Sequence, residues 1–148
     1  MPDQRPGDIL RTRVVVPEPL VLVVDDYADA REMYAAWLQV SGYRVEQAGT
    51  VTDALSLALR NPPDAILMDL SMPGIDGLEA TRRLKADPRT RHIPILAITG
   101  HVESLVAHEA AAAGCDGFVV KPSPAPDVVL ALGRLITRTS GPPPPDPA

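Results

Sequence analysis

Ile66-Leu67-Met68-Asp69-Leu70-Ser71-Met72-Pro73-Gly74-Ile75-Asp76-Gly77 begins as a short apolar run, ends that run on one carboxylate, and continues into turn-forming residues. Asp69 therefore stands at the exit of a strand. A charge inside a sheet is costly, but at the carboxyl edge of a buried parallel strand it can face a crevice where ligands bind. What the other residues bring to that carboxylate decides its role.

On both sides of this stretch, short apolar runs alternate with longer segments of helical period. Leu20-Val21-Leu22-Val23-Val24 is nearly all apolar, as expected of a strand covered on both faces. A helix follows at 28–41, with either Met33, Trp37 and Val40 or Tyr34 and Leu38 on its inner side, and Gly42 closes it. Residues 43–48 read as a more mixed edge strand. Thr50 caps a second helix with an apolar stripe of Val51, Ala54, Leu55, Ala58 and Leu59, stopped by Asn61-Pro62-Pro63. After the Asp69 strand, Asp76 and Glu79 mark a third helix over 77–86, closed by Asp87-Pro88. Ile95–Ile98 is a fourth strand, 103–113 a fourth helix ending at Gly114, and Gly117–Val120 a fifth strand. Pro126 suits the first turn of a last helix whose Val128, Val129, Leu132, Leu135 and Ile136 face inward. Five strands and five helices in strict alternation imply right-handed crossovers and a parallel, doubly wound α/β sheet.

Size and composition agree with one domain. A chain of 148 residues buries on the order of 70% of its unfolded-state surface. With five aromatic residues in all, Val, Leu, Ile and Ala must fill the core. The net charge of −5 argues against direct nucleic-acid binding, which needs clustered Lys and Arg. Cys115 is the only cysteine and reads as a small half-buried apolar residue; with no intrachain disulfide available, a cytoplasmic setting is expected. There is no signal-peptide layout and no apolar run near the roughly 20 residues that span a bilayer, so no membrane insertion is expected. Residues 1–18 read as a loose N-terminal arm, in which Val14-Val15-Val16 is stopped by Pro17, and 19–139 as the folded domain. Residues 140–148 read as a Pro-rich disordered tail.

In doubly wound sheets the polar residues at strand exits are the ones that meet a ligand. Strand one exits into Asp25-Asp26, strand three into Asp69, strand four into Thr99-Gly100 and strand five into Lys121-Pro122. Singly, each has an ordinary explanation: a strand-end cap, a helix N-terminal pair, a surface charge. Together they place three mutually repelling carboxylates in one crevice, a site that needs compensating positive charge. A divalent cation and Lys121 supply it, and all-oxygen ligation with few protein groups suits Mg²⁺. A carboxylate beside a metal, a lysine and a hydroxyl donor can attack phosphorus to form an aspartyl phosphate. On this reading Asp69 is the nucleophile and Asp25 and Asp26 hold the metal. Lys121 pairs with the phosphoryl oxygens, Thr99 hydrogen-bonds to them, and Gly100 leaves room.

Val23-Val24-Asp25-Asp26 with Arg31, Met68-Asp69 through Gly77, Ile98-Thr99-Gly100 and Phe118-Val119-Val120-Lys121-Pro122 together resemble the receiver domain of two-component response regulators, including the single-domain chemotaxis regulators. The resemblance covers about residues 19–138. It implies a flavodoxin-like sheet in the order 2-1-3-4-5. It also implies that Asp69 accepts a phosphoryl group from a histidine kinase or a histidine phosphotransfer protein. Mg²⁺ is then bound by Asp26, Asp69 and the Ser71 backbone carbonyl, and by Asp25 largely through water. The Lys121-Pro122 bond is expected to be cis, with Pro122 aiming the lysine inward. Thr99 and Phe118 match the family's switch pair, which reshapes the surface of helix four, strand five and helix five for a downstream partner; receivers also dimerise through that face. Ser71 and His101 occupy the positions that tune dephosphorylation.

The chain also departs from the family pattern. Phe118 lacks a tyrosine hydroxyl, and Ser123-Pro124-Ala125-Pro126 is a stiff entry to the last helix. No output domain is recognisable after helix five, which points to action through a partner or by relaying phosphate. Two alternatives are a receiver-like scaffold that works without phosphorylation and a phosphatase of the haloacid-dehalogenase type. The latter wants a second Asp two residues past the nucleophile, where Ser71 stands.

Overall fold

Five strands, each four or five residues long, lie side by side in the order β2-β1-β3-β4-β5, all parallel. The computed structural model describes residues 18–71, 77–100 and 104–140. In chain order the elements are β1 (Leu20–Val24), α1 (Ala28–Val40), β2 (Arg44–Ala48), α2 (Val51–Arg60), β3 (Ala65–Asp69), α3 (Gly77–Ala86), β4 (Ile95–Thr99), α4 (Ser104–Ala113), β5 (Gly117–Val120) and α5 (Ala125–Ser140). This is the doubly wound, flavodoxin-like architecture expected from the alternation and, for strand order, from the resemblance. Most of the N-terminal arm, the Pro-rich tail past Ser140, the turn from Met72 to Asp76 and His101 lie outside the described residues.

The apolar runs of β1, β3 and β4 are buried at every position, because helices cover both faces of the sheet. Alternate residues feed two cores. Leu22, Val24, Ile66 and Met68 pack on one side with Ala54, Ala58, Leu78 and Leu84 of α2 and α3. Val21, Val23, Leu67 and Ile98 pack on the other with Leu38 of α1 and Val128 and Leu132 of α5. β2, half-buried and mixed in composition, is an edge strand.

Local chemistry sets the helix ends. The Thr50 hydroxyl accepts the Asp53 N–H at 3.1 Å and caps α2. Gly42 (φ 98°) and Gly114 (φ 106°) take the left-handed conformation that ends α1 and α4. Of the two inner stripes open for α1, Tyr34 and Leu38 are buried, whereas Met33, Trp37 and Val40 face outward. One stripe residue of α2 is corrected: Leu59 is 40% exposed. Eight positions after Val51 on a helix of 3.6 residues per turn, it has rotated about 80° away from the buried seam.

β1 pairs with β2 on one side and β3 on the other, while the chain continues from β3 to β4. The order therefore reverses at β1 and β3, and their carboxyl ends flank the crevice where this fold binds ligands. Asp25 follows β1 and Asp69 ends β3.

Candidate functional site

Asp69 is 3% exposed, a carboxylate at the last position of a fully buried strand. It is held from both sides. The Ser71 N–H donates to Oδ1 at 2.8 Å, and Lys121 Nζ lies 3.7 Å from Oδ2. Gly77 opens α3 against the backbone just past Asp69: a Cβ there would collide with the Asp69 carbonyl oxygen and reach 3.0 Å from the Leu70 Cα. Glycine at this position lets the helix start directly beneath the strand exit.

Asp25 is 2% exposed and equally constrained. Its Oδ1 accepts the Tyr27 N–H at 2.9 Å, its own N–H donates to the Ala48 carbonyl at 3.1 Å, and its Oδ2 stands 3.5 Å from Lys121 Nζ. Asp26 is exposed. One oxygen from each of Asp25, Asp26 and Asp69 falls within a 4.8 Å cluster, so the three carboxylates expected to meet do meet.

The electrostatics follow from burial. Desolvation raises the Asp25 pKa above the ordinary carboxylate value, with the Asp69 charge adding to it; the Tyr27 N–H and Lys121 oppose the rise. Burial works to lower the Lys121 pKa, but Asp69 and Asp25 reverse that and the net shift is upward. One lysine against three carboxylates leaves the crevice short of positive charge. The donor set of clustered carboxylate oxygens fits a small hard dication such as Mg²⁺.

Thr99 is 1% exposed at the end of β4, and its backbone carbonyl accepts the Lys121 N–H at 2.7 Å. Its hydroxyl is 3.4 Å from Ser71 Oγ. Phe118 sits opposite Ala97 on β5, half-buried, and packs against the core shared by α2 and α3. The Lys121-Pro122 peptide is cis. Gly100 is exposed, and a Cβ there would meet no described atom within 4 Å. Cys115 is half-buried and donates to Thr81 Oγ1 at 3.9 Å, away from the crevice.

Sequence reasoning gave no role to two neighbours. Tyr34, buried on α1, feels the charges of Lys121, Asp25 and Asp69, and desolvation raises its phenol pKa. The sequence signal was a polar aromatic in an otherwise aliphatic inner stripe. Arg31 donates through Nη1 to the Asp25 carbonyl at 3.0 Å.

Comparison with known proteins places this geometry in a family. Residues 21–132 match the response regulator receiver domain. The phosphate regulon transcriptional regulatory protein PhoB of Pseudomonas aeruginosa is 36% identical over 119 residues, 80% of this chain and 52% of PhoB, so the chain spans about half the length of that relative. The polar-differentiation response regulator DivK of Brucella ovis is 33% identical over 112 residues, covering 76% of this chain and 91% of DivK. Among solved structures, the chemotaxis response regulator CheY4 of Vibrio cholerae superposes with a TM-score of 0.76 at 31% identity, over 80% of this chain and 98% of CheY4. A solved structure from Chloroflexus aurantiacus gives 0.78 at 30% identity, over 82% and 99%. No helix among the described residues is long and apolar enough to cross a membrane. The match over most of the chain and the shared sheet order thus place this chain among the response regulator receiver domains, the family to which it belongs.

Proposed function

We propose that this chain is a phosphorylation-operated signalling switch in which Asp69 is the phosphoacceptor. The observation that carries the reading is the Asp69 carboxylate itself, buried, braced by the Ser71 N–H and facing the Lys121 ammonium at the sheet's switch point. In the transfer, an Asp69 oxygen forms a bond to phosphorus as the bond to the donor's imidazole nitrogen, or to the acyl oxygen of a small donor, breaks; the electron pair leaves with the donor. Lys121 neutralises charge on the phosphoryl oxygens. Asp26, Asp69 and the Ser71 carbonyl would hold Mg²⁺, with Asp25 acting largely through water. When bound, the ion offsets the charge of the carboxylates and of the incoming phosphoryl group.

Thr99 and Phe118 are assigned as the switch. The Thr99 hydroxyl, now beside Ser71 Oγ, would turn to the phosphoryl oxygens, and Phe118 would turn inward, changing the face formed by α4, β5 and α5. That face is the proposed contact for a downstream protein and for dimerisation. A histidine kinase or histidine phosphotransfer protein is the proposed donor, and the cytoplasm the proposed setting. Ser71 and His101 are assigned to tuning the lifetime of the phosphorylated state.

Incubation with Mg²⁺ and acetyl phosphate, followed by intact-mass measurement, should give one phosphoryl adduct that Asp69→Asn lacks. No adduct with any donor would return the scaffold reading. Turnover of many equivalents would indicate a phosphatase, against which Ser71 already stands.

A further inference from the structure

Arg31 lies in the first turns of α1, half-buried, with its guanidinium reaching back over the exit of β1. Nη1 donates to the Asp25 carbonyl at 3.0 Å and Nε donates to Gln47 Oε1 of β2 at 3.2 Å. Gly49, just after β2, completes the seat: a Cβ on it would stand 3.0 Å from Nη1. The guanidinium therefore bridges a helix and two strand exits, in a space that a larger residue at 49 would invade.

The bond it makes falls on a consequential peptide. Asp25 is otherwise fixed through its N–H to Ala48 and through Oδ1 to Tyr27, which set its side chain. Its carbonyl belongs to the peptide leading into Asp26. Asp26 is exposed, and one of its carboxylate oxygens lies in the cluster with Asp25 and Asp69. Arg31 holds the peptide plane from which that carboxylate departs toward Asp25 and Asp69.

We propose that Arg31 is a positioning residue for divalent-cation binding: it fixes the Asp25–Asp26 peptide so that Asp26 joins the carboxylate cluster, with Gln47 orienting the guanidinium and Gly49 leaving it space. The proposal rests on the functional reading above and adds to it a residue outside the ligand set. Charge and position pull in opposite directions here. The Arg31 guanidinium, bonded to the Asp25 carbonyl, carries positive charge, so loss of that charge alone would not weaken binding of a dication. Loss of a group that orients a ligand weakens binding, by about 10–100-fold where such partners have been removed from metal sites.

The sign of the change is therefore the test. Mg²⁺ is titrated into the metal-free full chain by calorimetry for wild type, Arg31→Ala and Gly49→Ala, and the melting temperature of each metal-free protein is recorded to separate unfolding from lost affinity. Arg31→Ala should bind Mg²⁺ about 10-fold more weakly. Gly49→Ala keeps the charge but crowds Nη1 and should also bind more weakly, by a smaller factor. Wild-type or tighter affinity in either variant overturns the proposal. If the wild-type chain takes up no Mg²⁺, the functional reading is what fails.

Discussion

Asp25 and Asp69 are two nearly dry carboxylates that share one ammonium, and the pH behaviour of the site follows from that shortage of positive charge. With its pKa raised chiefly by desolvation, Asp25 keeps a proton in the folded chain at a pH where the unfolded chain has already released it. The contribution of Asp25 to the stability of the metal-free fold is therefore present at and below that window and is lost as pH climbs through it. A cation binding there must displace the same proton. Mg²⁺ affinity should fall on acidification from neutral toward the carboxylate range, and calorimetry showing a pH-independent affinity across it would contradict this. Lys121 has linkage of the same sign in a higher pH range. Its raised pKa contributes stability below the ordinary lysine range that is lost as pH rises through the folded value. On the proposed function, Lys121→Met removes the ammonium that faces Asp69, and adduct formation from acetyl phosphate should slow by about 100-fold or more, measured by intact mass against time.

At the scale of elements, α2 offers the clearest test of local chemistry. Thr50→Ala deletes the hydroxyl that accepts the Asp53 N–H and should cost about 1 kcal/mol in urea unfolding. The strands were legible because a strand covered on both faces must be an apolar run; each observed strand begins and ends within a residue or so of its expected bounds. The buried face of α1 was not, because apolar residues at 33, 34, 37, 38 and 40 wrap most of its circumference, and only the placement of the sheet decides which stripe is buried. The site divides in the same way. Asp25, Asp69, Thr99 and Lys121 were visible as polar residues at strand exits. The Ser71 N–H on Asp69 and the Arg31 guanidinium on the Asp25 carbonyl were not, since a backbone partner leaves no mark on residue type.

At the scale of the whole molecule, a ligand that binds only the folded chain stabilises all of it. Mg²⁺ at about 100 times its Kd should add about 2.7 kcal/mol to the unfolding free energy, removable with a chelator. Denaturation curves that coincide with and without the ion would contradict binding at the carboxylates. The two cores on either side of the sheet would share that gain, because β1 and β3 contribute to both. The outward turn of Trp37 has a practical corollary of a different kind. It is the chain's only indole, 44% exposed beside Ala36 and Val40, and the residue preceding Asp69 is Met68 rather than an aromatic. The protein's intrinsic fluorescence is therefore a label-free optical channel tuned to the outer surface of α1. Its emission should shift when another molecule covers that helix and stay nearly constant when an ion enters the crevice.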